Sequence, residues 1–165
     1  MNRQAATLTP ASPLRTVARR YATGVTVVGV SGDGGVHALT ANSFVTLSLT
    51  PPLIGVAIGR QGRFRPLVEK AGWFGVSILA ASQQRWATFY ADRNRPLDAA
   101  EYSLTELTSP GLVPIVPGCL GYFMCAVDAI QPVGDHDLII GEVWQCECSD
   151  PTQDPLVFLD GRFRS

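Results

Sequence analysis

Two short polar runs carry the ligand chemistry legible in this chain. Thr40, Ala41, Asn42 and Ser43 open the stretch LTANSFVTLSLTPP, which passes at once into alternating apolar and hydroxyl residues and stops at two prolines. Adjacent amide and hydroxyl groups at a strand edge form a fixed array of donors and acceptors. Such an array suits the imide edge of a heterocycle, the hydroxyls of a polyol chain, or a phosphate. The local alternative is that Asn and Ser bond their own backbone and cap a turn. The second run is GRQGRFRP, residues 59–66, where Arg60, Arg63 and Arg65 surround Gly62 ahead of an expected helix. Guanidinium groups and free backbone amides there can hold a phosphate, the alternative being a solvated basic loop. With only one strand between them, the two runs support a ligand site better than either does alone.

Other chemistries find no template. In GVSGDGGVH the dinucleotide fingerprint GxGxxG fails, because His37 stands where the third glycine belongs and a strand follows instead of a helix. GxxxxGK[ST] and GxSxG are absent, so a bound dinucleotide would sit outside a Rossmann domain. Cys119, Cys125, Cys146 and Cys148 form no CxxC pair, and His37 and His136 are far apart in sequence, so no metal site is expected. The cysteines read as reduced residues on strands. No nucleophile triad or carboxylate pair stands out, and no catalytic side chain is assigned.

The elements that must position these residues follow from periodicity. Residues 1–13 read as a flexible N-terminal segment and 14–165 as one domain, a length that can bury a core. Ser12 and Pro13 offer a helix start, with Leu14, Val17, Ala18 and Tyr21 at helical spacing. VTVVGVS and VHALT flank GDGG as a hairpin, and SFVTLSL and LIGVAIG are two strands joined at Thr50, Pro51 and Pro52. A helix over 66–71 ends at Gly72, the strand WFGVSIL follows, and a second helix is predicted over 82–91 with Ser82 as its cap. Residues 92–117 read as a long polar loop with little regular structure, a type of segment often tied to function. CLGYFMCAVDAI and DLIIGEVWQCEC are long strands joined by QPVGDH, and PLVFLDG is the last. Seven or eight strands in hairpin succession predict a mainly β fold, an antiparallel barrel or sandwich with two or three short helices.

The net charge of −1 gives no electrostatic case for nucleic acid or an anionic membrane. No apolar run is long enough to span a bilayer, and MNRQAATLTPASP has no signal-peptide core, so a cytoplasmic location is the default expectation.

The motifs YATGVTVVGV, LTANSFVTLSLTPPLIGVAIGR, GWFGVSILAASQ, GDHDLIIGEV and PLVFLDGRF, in that order across residues 14–163, resemble the short-chain flavin reductases. That resemblance implies a Greek-key split barrel that binds FMN or FAD and takes hydride from NADH or NADPH. It further implies a homodimer supplying reduced flavin to a partner flavin-dependent monooxygenase. By position, it implies flavin contacts at Thr23, Val25, Thr26, Thr40, Ala41, Asn42, Ser43, Ser48, Leu49, Arg60, Arg63 and Gln83. Contacts to the nicotinamide nucleotide are implied at His136, Arg162 and Phe163. Without the resemblance, VGDHD is also an ordinary polar turn; with it, an imidazole there can pair with the dinucleotide and change charge near neutral pH. The chain departs from the family pattern at Gly62 and Phe64, where hydroxyl residues are common, and at Phe163, where tyrosine is common. Two other readings stay open: an oxidase or oxygenase component that retains its flavin, and a non-catalytic flavin-binding protein of the same fold.

Overall fold

The computed structural model describes residues 11–96, 99–108, 111–149 and 152–164. In chain order its elements are α1 (Ala11–Ala18), β1 (Thr23–Gly24), β2 (Thr26–Gly32), β3 (Gly35–Ala41), β4 (Val45–Leu49), β5 (Pro52–Gly59), α2 (Phe64–Ala71) and β6 (Trp73–Ile78). They continue with α3 (Gln84–Ala91), β7 (Thr105–Thr108), β8 (Leu112–Ile115), β9 (Gly121–Val133), β10 (His136–Cys148), β11 (Val157–Leu159) and β12 (Arg162–Arg164). Single 3-10 turns lie at Ala81–Gln83 and Ala100–Tyr102.

Seven strands form one antiparallel sheet in the order β3-β2-β6-β9-β10-β5-β4. The sheet curls until β3 touches β5. A side-chain hydrogen bond spans that seam: Ser43 Oγ, just past β3, donates to the Ala57 carbonyl of β5 at 2.8 Å. The sheet thus curls into a barrel split at this seam, within the mainly antiparallel β fold that was expected.

Alternation along β2 explains why the barrel is covered on both sides. Val28 and Val30 point inward to Ile54, Val56, Phe74, Val76 and Ile139, all of them buried. Val25 and Val27 point outward to Ala87 and Tyr90 of α3 and to Leu79, Val116 and Leu156. Helix α2 plugs one end of the interior with Phe64 and Val68, and it stops at Gly72, whose φ of 71° suits glycine and whose N–H reaches Val68 O. Truncating a fully buried ring such as Phe74 would cost about 3–5 kcal/mol.

Both predicted hairpins, both later helices and the long β9–β10 pair are present, with local shifts. Helix α1 begins at Ala11, so Ser12 lies inside its first turn; the first ten residues of the expected flexible segment lie outside the described residues. Ser82 sits within the 3-10 turn that precedes α3 and caps neither element.

The long loop expected over 92–117 is more ordered than its sequence suggests. That segment carries the 3-10 turn and the hairpin β7–β8, and it lies as a strap across the outside of the barrel. Gly29 of β2 and Gly75 of β6 face each other across their ladder. A Cβ at either would come within 2.8 and 2.5 Å of the Pro114 carbonyl, so the bare strip is what admits the strap. Ser31 Oγ donates to Glu106 at 2.6 Å, and Val116 N–H donates to Ser77 Oγ at 2.9 Å. The sequence hid this because Pro114 interrupts the strap's apolar run LVPIV and the glycines that receive it sit elsewhere in the chain.

Candidate functional site

A cleft of about 1080 Å³ opens where four pieces of chain meet: β3 and its exit, the end of β5 with the loop to α2, the end of α3 with residues 92–95, and the β9–β10 turn. Its charged and imidazole lining comprises Arg63, Arg93, Arg95, His37 and His136, and no Asp or Glu among the described residues. In a chain of net charge −1 that segregation makes the cleft locally basic and suited to an anionic ligand.

The polar run that ends β3 and follows it is placed in this cleft, and its hydroxyls are already oriented. Thr40 Oγ1 donates to Ala87 O of α3 at 2.7 Å, and Ser43 Oγ donates to Ala57 O. Each hydroxyl spends its proton on the scaffold and keeps lone pairs to accept from a ligand N–H or O–H. Asn42 is exposed in the cleft with its amide uncommitted among the described residues, while Ala41 is buried beneath it. The opposing idea, that Asn and Ser merely cap a local turn, fails for Ser43, whose bond crosses to another strand.

Two rims of the cleft are stitched together by one carboxylate. Asp137, 1% exposed, sits 3.1 Å from Arg60 Nε and 3.2 Å from Arg65 Nε, the second contact being an ion pair without hydrogen-bond alignment. Arg60 also donates its backbone N–H to Asp135 O and its Nη1 to Gly134 O, at 3.1 and 3.3 Å. The loop after β5 is thereby tied to the β9–β10 turn. This frees Arg63 to face the cleft and holds His136 beside it, with His136 Nδ1 2.7 Å from Asp135 Oδ1. That hydrogen bond first, and the imidazole charge second, hold the exposed Asp135 carboxyl below its usual range.

Of the residues expected to contact ligands, the cleft gathers Thr40, Ala41, Asn42, Ser43, Arg63 and His136. Arg60 is instead the anchor just described. Thr26 is buried and donates to Ala41 O at 2.8 Å, bracing the cleft from behind. Val25 is core. Gln83 is buried at the start of α3, accepting from Ala80 N–H and donating to Pro117 O, which holds the strap. Ser48 accepts from Thr50 N–H in β4, where Leu49 is 84% exposed. Thr23, whose buried hydroxyl has no partner among the described residues, pairs through β1 with β11, and Phe163 packs against Phe158 beside it, with Arg162 exposed. Within one chain these last residues do not reach the cleft. Phe64 is buried under it, so the position where hydroxyl residues are common serves here to seat α2.

Sequence reasoning missed His37, Tyr90, Arg93 and Arg95. The run ADRNRP after the helix was the available signal, since two arginines flank one asparagine where the chain leaves α3.

The flavin reductase-like domain model matches residues 18–165. The chain belongs to the flavin reductase-like family. It is 35% identical to an NADH-dependent flavin reductase of a Rhodococcus species over 155 residues, 92% of this chain and 84% of that one. Among solved structures, it is similar to BorF, the flavin reductase component of a bacterial two-component tryptophan halogenase. That match has 39% identity and a TM-score of 0.86, covering 94% of this chain and 97% of the other. A Streptomyces globisporus NADH:FAD oxidoreductase in complex with NAD and FAD fragments matches at 31% identity and TM-score 0.86, over 97% and 96% of the two chains. Membership fits the expected mainly antiparallel β fold and the flavin reductase motifs. The donor set of this cleft, lone pairs for a heterocycle and guanidinium for phosphate, suits a flavin on its own account.

Proposed function

We propose that this protein is an NADH-dependent flavin reductase that transfers hydride from the nicotinamide nucleotide to FMN or FAD and supplies reduced flavin to a partner flavin-dependent monooxygenase. The observation that carries it is a carboxylate-free cleft, bordered by arginines and by oriented hydroxyls, in a chain of the flavin reductase-like family. When bound, the two nucleotides supply the hydride chemistry themselves. The chain's residues have binding and orienting work. Arg63 would hold a flavin phosphate, and Thr40, Asn42 and Ser43 would engage the heterocycle edge and polyol. His136 would contact the nicotinamide nucleotide. Rigid placement of two rings is the contribution asked of the protein, since hydride transfer depends on proximity and orientation.

A homodimer is part of this reading. Val45 and Leu49 are exposed on β4, an edge strand of the main sheet, and Leu47 between them is 44% exposed. A second copy covering that edge would bring Ser48 and Leu49 to an interface. Light scattering after gel filtration tests this, a monomer being the outcome that ends it. A cytoplasmic location belongs to the same proposal; no described helix is long and apolar enough to cross a membrane.

The deciding experiment is an anaerobic titration of the protein with FMN or FAD by NADH and then NADPH, following the oxidised flavin absorbance. Protein-dependent bleaching, faster with NADH, is expected. Flavin that binds but stays oxidised with both donors would replace this reading with that of a flavin carrier.

A further inference from the structure

A second basic segment borders the cleft, and the contacts assigned so far leave it without a role. Arg93, Asn94 and Arg95 follow α3 and line one wall, while Arg63 lines the wall made by the loop after β5. The two arginines of this segment are used differently. Arg95 is immobilised: its guanidinium donates to Asp92 O at 3.0 Å and to Ala38 O, and it stands 5.1 Å from the Tyr90 ring centre and 5.9 Å from that of Phe89. It satisfies the carbonyl end of α3, where a cation is favoured. Asp92 Oδ1 accepts from Asn94 N–H at 2.8 Å, closing a turn with Arg93 at its apex. Arg93 is exposed in the cleft and makes no hydrogen bond or ion pair with the described residues.

The helix end thus has its cation in Arg95, which leaves the charge of Arg93 for something else. Like charges gathered on one cleft repel, and a bound polyanion removes that cost. We propose that Arg93 binds a second phosphoryl group, separate from the one at Arg63, and so biases the site toward a dinucleotide ligand. The inference rests on the flavin reductase reading, which supplies two ligands with such a group: FAD, through its adenylate half, and the nicotinamide dinucleotide. FMN has one phosphate and riboflavin none.

Steady-state reduction of riboflavin, FMN and FAD with NADH, for the parent protein, Arg93→Ala and Arg93→Lys, tests it, with circular dichroism as a check on folding. For Arg93→Ala the ratio of the FAD KM to the FMN KM is expected to rise about threefold to tenfold, the range for one partly solvated charge-assisted contact, and Arg93→Lys should recover most of it. A rise in the NADH KM with the flavin ratio unchanged supports the subsite and assigns the phosphoryl group to the donor. An equal rise for FMN and FAD with NADH unchanged overturns it, placing Arg93 at the first phosphate; no change for any ligand, or an equal change for all, overturns it too. A calorimetric titration with ADP reads the subsite without turnover, and Arg93→Ala is expected to weaken that binding by a similar factor. ADP binding that depends on Arg93 in a protein that reduces no flavin would retain the subsite and sink the reductase reading. Flavin reduction indifferent to Arg93 would do the reverse.

Discussion

The two basic segments of the cleft follow one plan with different materials. In the loop after β5, Arg60 and Arg65 are anchored on the buried Asp137 and Arg63 is left facing the ligand side. After α3, Arg95 is anchored on two carbonyls and two aromatic rings, and Arg93 is left facing it. The difference lies in what the anchor costs to lose. A buried carboxylate stripped of its partners has nowhere to put its charge, whereas carbonyls and ring faces at a half-exposed site are rehydrated readily. Counting arginines therefore says little about a binding surface until each has been sorted into anchor or ligand group.

The strongest way to break that contrast is to remove both partners of Asp137. Arg60→Ala with Arg65→Ala should destabilise the fold by about 3–5 kcal/mol in urea denaturation, and adding Asp137→Asn should return much of the loss. Arg95→Ala should cost less, about 1–2 kcal/mol, from one cation–π contact and the two carbonyl bonds. If the single variant costs as much as the double, the two anchors are equivalent and the contrast falls. Arg63→Ala sharpens it from the other side: the KM for FMN should rise about tenfold relative to riboflavin, with stability moved by less than about 0.5 kcal/mol. His136→Ala should raise the KM for NADH a few-fold more than that for flavin; equal effects would remove it from the nucleotide site. The smallest effect is electrostatic. Because the folded Asp135 carboxyl titrates below its ordinary 3.8, the His136 interaction is fully present above that value and fades as pH falls through the lowered one. A carbon-detected titration of Asp135 should show its midpoint below 3.8 in the parent and shifted upward in His136→Ala.

How far the sequence could be read depends on where partners lie. The hairpin β2–β3 and the long pair β9–β10 were legible because alternation and a tight turn are local signals. The polar run at residues 40–43 was legible too, since Asn42 and Ser43 interrupt an apolar strand. What stayed hidden was the destination of each side chain. Thr26 and Gln83 were carried to the ligand by motif position, yet they bond to Ala41 O and Pro117 O, and nothing local to either residue marks those carbonyls. Arg60 and Arg63, three residues apart in one basic run, are placed differently, one on Asp137 and one lining the cleft, because Asp137 arrives from 77 residues beyond Arg60. The strap read as loop because its order comes from glycines in other strands.

Pro114 resting on Gly29 and Gly75 turns a steric detail into a lever. The strap begins where Arg93 and Arg95 leave α3, so the pinning point and one wall of the cleft are ends of the same piece of chain. A single methyl group added by Gly75→Ala would lift the strap at a place that touches no ligand, and the disturbance would be felt as a change in affinity for phosphates. Such a position offers selection, or a protein engineer, a handle on ligand choice that leaves every ligand-facing side chain untouched.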